Sequence, residues 1–440
     1  MSERETWATR LGFILASVGS AVGLGNIWRF PFQTAENGGA AFVVVYLAAV
    51  VVIGLPALLA EFVIGRRANI NAITAFDRLN RQNWKVIGAV GIFAGFWTLS
   101  YYSVIGGWVI RYVYGSATGA YFGMGGENYF RTISAGPDAV ALHFLFMLVT
   151  VGIVAFGIED GIEKATKVMV PSIILLMVGL AAYAATLPGG SEGYSFFLSP
   201  EVSAIASNAT NVIPAAVGQA LFSLSLGFSV MITYASYIGD DENLGVDGIS
   251  IAAFNTFVGV LAGLVVFPLL FAQGVAVDQT GPDAVFVSVA NALAGLPASR
   301  VLGVVFFGVV LIAALSSAIS LLEVVVSYVV DNYRFGRVQT ATGIGALLFL
   351  TGLPSALDIE WLTWADSVGA SLLLPLAALG VVFFVGWIMT ENALDEVRQG
   401  TDGAETLSVV WLWSLRTVVL AAVGLTVVLS LLELSAPPLL

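Results

Sequence analysis

The chain has 440 residues, of which 58% are hydrophobic and only 10% charged, and its mean hydropathy is +0.93. That composition excludes a soluble domain, and a net charge of −12 argues against a nucleic-acid partner. With no cysteine, disulfides and thiolate metal sites are excluded as well.

Apolar runs long enough to cross a bilayer recur along the chain. They predict an all-α polytopic membrane protein with eleven spans, near 11–35, 40–65, 87–115, 139–157, 166–186, 213–238, 249–273, 300–330, 338–354, 364–389 and 408–432. No loop is long enough for a soluble domain, so 1–440 reads as one transmembrane unit. No small-residue cleavage site ends the first run, so no signal peptide is expected. Basic residues orient the spans. Arg4 and Arg10 precede the first, and Arg66, Arg67, Arg78, Arg81 and Lys85 lie between the second and third. Lys164, Lys167, Arg334, Arg337 and Arg398 fall on the same side, against Arg131 and Arg300 on the other. The positive-inside rule then predicts a cell-membrane protein with its N-terminus in the cytoplasm and its C-terminus outside.

The first span holds the strongest anomaly. Gly19, Gly23 and Gly25 interrupt its apolar pattern, and Asn26, Arg29 and Pro31 follow. In hydrocarbon, irregular backbone survives only where it lines a cavity, so a helix break is expected over 19–26. The sixth span carries Ser223, Ser225, Gly227 and Ser229 mid-membrane. Alone, these would be small residues for close packing. Yet spans 1 and 6 each open a set of five, and interrupted segments at corresponding places in two halves point to a transporter's midplane site.

Na⁺ is a hard cation that takes oxygen ligands. Freed carbonyls, Asn26, Ser223, Asn255, Ser316 and Ser317 supply them at membrane depth. Serines back-bonded to their own helix are the plainer reading of Ser316 and Ser317 taken alone. Three acids fall in apolar runs: Glu61 and Glu323, expected to satisfy freed backbone amides, and Asp366, expected near the outer end of span 10. His143 reads as a packing residue rather than a proton relay. Acidic loops such as 239–242 fit a salty habitat.

Long motifs then resemble one family. Trp7–Ala8–Thr9–Arg10, AVGLGNIWRFPF (21–32), Glu36–Asn37–Gly38–Gly39, GQALFSLSLGF (218–228), TYASY (233–237), Asn255 and ALSSAISLLE (314–323) look like the neurotransmitter:sodium symporters, in particular their prokaryotic amino-acid branch. The resemblance implies two inverted repeats, helices 1–5 (about 11–186) and 6–10 (about 213–389), with broken helices 1 and 6 and an added helix 11 (about 408–432). It implies a first sodium at the Ala21 carbonyl, Asn26, Ser223, Asn255 and the substrate carboxylate. A second would sit at carbonyls of Gly19, Val22 and Ala313 with the hydroxyls of Ser316 and Ser317. The substrate carboxylate would meet the amides of Leu24 and Gly25 and the Tyr102 hydroxyl. Its ammonium would meet the carbonyls of Ala21, Phe222 and Ser223, near Ser225. Thr98, Tyr102, Phe222, Phe228, Ser317 and Leu321 would hold its side chain.

Family members that carry monoamines have an aspartate at the Gly23 position, so glycine favours a substrate bringing its own carboxylate. The resemblance also implies gates: Arg29 with Asp366, and Tyr102 with Phe228, outside; Arg4 with Asp331, beside Trp7, Ser236 and Tyr237, inside. Gly161 and Pro171 match the family's spacing for unwinding the start of span 5. One departure stands out. Chloride-independent relatives carry an acid where this chain has Gly259, while Tyr46, Gln219, Ser223 and Asn255 remain as groups for a chloride ion.

The expected activity is therefore sodium-driven uptake of a neutral, hydrophobic amino acid by a monomeric unit in the bilayer, with two Na⁺ and optional Cl⁻. Two alternatives share the fold: a sensor that binds without transporting, and a symporter of another small zwitterion. A channel would need a continuous polar ring. An enzyme would need a nucleophile–base pair or metal set, which a chain with one histidine and no cysteine lacks.

Overall fold

The computed structural model describes residues 5–201, 203, 205, 208–239, 242–275, 286–399 and 405–438. Among these, every regular element is helical. Nine helices are long and apolar enough to cross a membrane: Ala40–Ala68, Gln82–Thr118, Pro137–Ala155, Ile158–Ala184, Leu244–Ala272, Ser299–Asn332, Arg337–Leu357, Ile359–Ile388 and Glu405–Glu433. They are spans 2–5 and 7–11. The first span consists of Arg10–Ala21 and Gly25–Glu36, bent by 46° where they meet. The sixth consists of Ala209–Ser223 and Val230–Ala235. The expected eleven spans are thus all present, two of them broken. Side chains such as Val51, Phe93, Leu175, Leu350 and Leu432 remain exposed and form a lipid-facing surface.

The first break is narrower than the sequence suggested. Gly19 and Ser20 stay helical, and only Val22 and Gly23 leave the helix before the chain rewinds from Leu24. The second runs from Leu224 to Ser229. Ser225, Gly227 and Ser229 take left-handed backbone there, with φ of 54°, 82° and 58°. Gly227 is needed twice over, because a Cβ would also stand 2.2 Å from the Leu374 carbonyl oxygen. Its freed amide is satisfied as expected: Gly227 N donates to Glu61 Oε1 at 2.7 Å. Glu61 is thus a strut that lets span 6 stay unwound without leaving a donor orphaned.

Widened turns recur where prolines would otherwise break helices. Val50–Gly54 and Ser367–Leu373 are π turns, followed directly by Pro56 and Pro375 at the start of the next helical stretch. A third, Ile158–Glu163, opens span 5 just before the helix that contains Pro171. Short helices outside the spans went unseen in the hydropathy pattern. Gly126–Ile133, Gly190–Leu198 and Ser288–Ala294 lie in loops on one side of the membrane. Thr390–Arg398 lies on the other. They are too short or too polar to resemble spans.

Candidate functional site

The two breaks face one another across a cavity. It is lined by Ser20, Ala21, Gly23 and Gly25 of span 1, Thr98 and Tyr102 of span 3, Phe222, Ser225 and Phe228 of span 6, and Ser317 and Leu321 of span 8. Its empty space is about 320 Å³, open solvent at the mouth included. No lining side chain is charged. Of the residues expected to contact substrate, Leu24 and Ser223 do not line it. Leu24 is fully buried, and its amide N lies 3.3 Å from Tyr102 Oη. Ser223 turns to the far side, 3.1 Å from Tyr46 Oη. Ser20 is a lining residue the sequence reading did not place there, whereas Gly23, read as leaving room for the substrate carboxylate, lines the cavity as well.

Gly23 has a local physical reason. A Cβ at this position would stand 2.1 Å from Ser317 Oγ and 3.1 Å from Tyr102 Oη. Only a bare backbone fits against those two hydroxyls. Around Gly23 the chain rewinds into Gly25–Glu36, whose positive N-terminal end opens at the cavity. A carboxylate bound there meets both the helix end and the Tyr102 hydroxyl.

One oxygen cluster lies beside the cavity. Asn26 Nδ2 donates to the backbone O and to Oδ1 of Asn255, both at 2.8 Å. The Asn255 amide lies 2.9 Å from the Ser223 carbonyl and 3.2 Å from the Ala21 carbonyl. In one orientation its NH₂ donates to both. In the other its oxygen faces both, which only a cation among the three makes favourable. The donor set is all oxygen and carries no charge, which suits Na⁺ sharing a substrate carboxylate.

A second cluster lies between spans 1 and 8. Ser316 Oγ is 2.7 Å from the Gly19 carbonyl, 2.9 Å from that of Ala313 and 3.4 Å from that of Val22. One hydroxyl proton serves one of three acceptors, so this cluster also fits a cation. Ser317, expected both at this ion and in the substrate pocket, faces the cavity: its Oγ donates to the Ser20 carbonyl at 2.8 Å. It belongs to a hydroxyl group under the cavity, in which Ser20 Oγ lies 2.7 Å from Ser320 Oγ and 3.2 Å from Ser225 Oγ. Small polar residues at helical spacing were the only signal for it.

The polar groups near Gly259 stay together. Asn255 Nδ2 is 3.3 Å from Ser223 Oγ. Gln219 Nε2 donates to the Gly25 carbonyl at 2.7 Å, and its buried Oε1 has no partner. Gly259 has open space: a Cβ would meet nothing nearer than Asn26 Nδ2 at 3.6 Å.

The gates are partly as expected. Outside, Arg29 lies over the Phe222 ring at 4.6 Å, and Phe222 stands edge-on to Phe228. Asp366 accepts from Tyr101 Oη at 3.0 Å rather than pairing directly with Arg29. Inside, Arg4 lies outside the described residues. Asp331 accepts from the backbone N and Nδ2 of Asn71, both at 3.1 Å. Trp7 donates from Nε1 to the Tyr234 carbonyl at 3.0 Å and packs edge-on to Tyr234 and Tyr237.

A further inner network was missed. Tyr237 Oη donates to Glu323 Oε1 at 2.9 Å, Glu323 pairs with Arg337, and Arg337 reaches Glu5 at 3.4 Å. Glu323 thus pairs with a side chain instead of holding freed amides. The counted basic residue and the buried acid were both visible in the sequence, but their pairing needed the fold. His143 packs as expected, its ring nitrogens bonded to Ser103 Oγ at 2.8 Å and the Phe349 carbonyl at 3.1 Å.

Comparison with known proteins agrees with this architecture. The profile described as the sodium:neurotransmitter symporter family matches residues 4–130 and 133–437. An uncharacterized sodium-dependent transporter of Bacillus subtilis, YhdH, is 35% identical over 442 residues, covering 96% of this chain and 97% of its own. Another, from Haemophilus influenzae, is 34% identical over 426 residues, covering 90% and 92%. The crystal structure of MhsT in complex with L-phenylalanine superposes with a TM-score of 0.88 at 40% identity, over 97% of this chain and 99% of that one. Matched along nearly its whole length in sequence and in fold, the chain belongs to the sodium:neurotransmitter symporter family.

Proposed function

We propose that this sodium-coupled symporter carries a neutral amino acid with an apolar side chain into the cell, by alternating access. The observation that carries the reading is the break in span 1. Its carbonyls at Gly19, Ala21 and Val22 border both oxygen clusters, while its rewound N-terminus faces the cavity between them. Gly23 supports a free amino acid, since the pocket supplies no carboxylate of its own. Phe222, Phe228 and Leu321 support an apolar side chain, and MhsT, similar throughout, was crystallised with L-phenylalanine.

Two Na⁺ ions are assigned. The first takes Ala21, Asn26, Ser223 and Asn255 with the substrate carboxylate, so that ion and substrate each bind better with the other present, and this is the coupling. The second takes Gly19, Val22, Ala313 and Ser316, joining span 1 to span 8. Cl⁻ near Tyr46, Gln219, Ser223 and Asn255 supplies the counter-charge that Gly259 does not. Arg29 over Phe222 closes the site outside, and Trp7 with Tyr234 and Tyr237 closes it inside. The basic loops put the N-terminus in the cytoplasm and the C-terminus outside, in the cell membrane, and one protomer suffices. Uptake into proteoliposomes under an inward Na⁺ gradient tests the reading. Accumulation of L-phenylalanine or another apolar amino acid that collapses with the gradient is expected. Binding without accumulation would refute transport.

A further inference from the structure

Span 11 carries an arginine that the transport site does not use. Arg416 lies within Glu405–Glu433, a membrane-spanning segment, where a charged side chain is costly unless it is held for a purpose. Its hydrogen bonds go to neutral groups. Nε donates to the Gly386 carbonyl at 2.7 Å, and Nη2 to Thr390 Oγ1 at 3.0 Å. Gly386 belongs to a π turn, Phe384–Ile388, which frees its carbonyl for this bond. The guanidinium also lies between two indole rings, 5.1 Å from Trp387 and 5.2 Å from Trp413, each about half exposed. Its charge is therefore held in place at the lipid-facing surface without being neutralised.

The depth of this group is fixed by its partner. Thr390 opens the polar helix Thr390–Arg398 that follows span 10, so the guanidinium lies where span 10 leaves the apolar layer. Tryptophans at that level are interfacial anchors. Trp387 also lines a polar cavity with Asn80, Arg81, Gln82, Trp84 and Ile388. Arg81 is exposed there, whereas Lys85 in the same loop is paired with Asp77 at 2.5 Å. On a chain with net charge −12, two uncompensated arginines joined through one tryptophan make a local positive pocket at the membrane interface. Basic pockets between helices on the cytoplasmic side select anionic headgroups.

We propose that Arg416, Arg81, Trp387 and Trp413 form a binding site for the phosphodiester headgroup of an anionic phospholipid in the cytoplasmic leaflet. The leaflet rests on the orientation given by the basic loops; the chemistry does not. A phosphate oxygen meets the free edge of the Arg416 guanidinium, Arg81 meets the headgroup from the loop, and the two indoles pack along the lipid. The bound lipid then ties spans 10 and 11 to the loop before span 3.

The test uses the purified full chain in detergent with equimolar phosphatidylglycerol and phosphatidylcholine, read by native mass spectrometry. The proposal expects phosphatidylglycerol to be retained at least fivefold over phosphatidylcholine. It expects Arg416→Gln with Arg81→Gln to bring the ratio near one. Equal retention of the two lipids by the native chain, or an undiminished preference in the double variant, would overturn it. Should the double variant fail gel filtration, Arg81→Gln alone must at least halve the preference and Arg416→Lys must keep part of it. An Arg81→Gln chain with native preference counts against the site. Inorganic phosphate is the third arm. If it raises the melting temperature as much as phosphatidylglycerol does, the site takes free anions and the lipid assignment fails. Transport need not be measured, so the outcome is independent of the substrate assignment.

Discussion

Replacing Gly23 with alanine adds one methyl group where the structure leaves no room for it. The backbone tolerates the change, since Gly23 is not among the residues with positive φ. The side chain does not: its Cβ would stand 2.1 Å from Ser317 Oγ and 3.1 Å from both Ser317 Cβ and Tyr102 Oη. Ser317 must rotate and give up its 2.8 Å bond to the Ser20 carbonyl. Overpacking of this kind costs about 1–3 kcal/mol, and the lost hydrogen bond about 0.5–1.5 kcal/mol. Together these come to about 1.5–4.5 kcal/mol, or roughly 10- to 1,600-fold in affinity if the strain falls on the substrate-bound state. The assay is equilibrium binding of tritiated L-phenylalanine to purified protein in sodium, with gel filtration as the folding control. Gly23→Ala should bind at least about 10-fold more weakly. Gly23→Ala with Ser317→Ala, which removes the closest clash, should return to within tenfold of Ser317→Ala alone. Native affinity in Gly23→Ala, or no recovery in the double variant, would refute the argument that these hydroxyls shape the carboxylate end of the pocket.

Three further outcomes follow from the same geometry. Asn26→Ala leaves two buried acceptors of Asn255 without their donor and removes a sodium ligand, at about 1–3 kcal/mol. The sodium concentration for half-maximal binding should rise about 10- to 100-fold, and an unchanged titration counts against the first ion site. Gly259→Glu has room for its Cβ and supplies a fixed negative charge. Native uptake should fall when chloride is replaced by gluconate, while uptake by the variant should not respond; native uptake indifferent to chloride contradicts this. Trp7→Ala removes the bond to the Tyr234 carbonyl and the ring contacts with Tyr234 and Tyr237. Because the chain has no native cysteine, a cysteine at buried Ser236 can report opening. Its labelling from the cytoplasmic side should speed up tenfold or more in Trp7→Ala, and an unchanged rate argues against Trp7 as an inner seal.

The large-scale fold was legible because hydrocarbon is an unforgiving solvent. An apolar run near twenty residues long has few fates, and a glycine-rich interruption inside one has fewer still. Most spans therefore fell within a few residues of their observed ends, although span 5 opens at Ile158, eight residues earlier than expected. Glu61 was readable for the same reason, since a buried acid beside a broken helix has few uses other than holding its amides. What stayed hidden depended on side-chain direction. Ser316 and Ser317 are neighbours on a helix, yet one faces three carbonyls and the other faces the substrate cavity. The break in span 1 came out two residues wide rather than eight because Gly19 and Ser20 stay helical on one side and Leu24 on the other; glycine permits unwinding but does not compel it. Arg29 and Asp366 had compatible charges and compatible depths, but a cation–aromatic contact and a tyrosine hydroxyl satisfy them separately. Links between separate elements, such as Glu323 of span 8 to Arg337 at the start of span 9, or Arg66 of span 2 to Glu396 beyond span 10, leave no periodicity in the sequence at all.

The most direct test of the central claim is accumulation. Purified protein in sealed liposomes should concentrate an apolar amino acid against its gradient when Na⁺ is high outside, and should release it when a sodium ionophore is added. Uptake of the same size without a sodium gradient, or sodium-dependent binding that never exceeds the amount of protein present, would contradict the assignment of this chain as a sodium-driven amino-acid symporter.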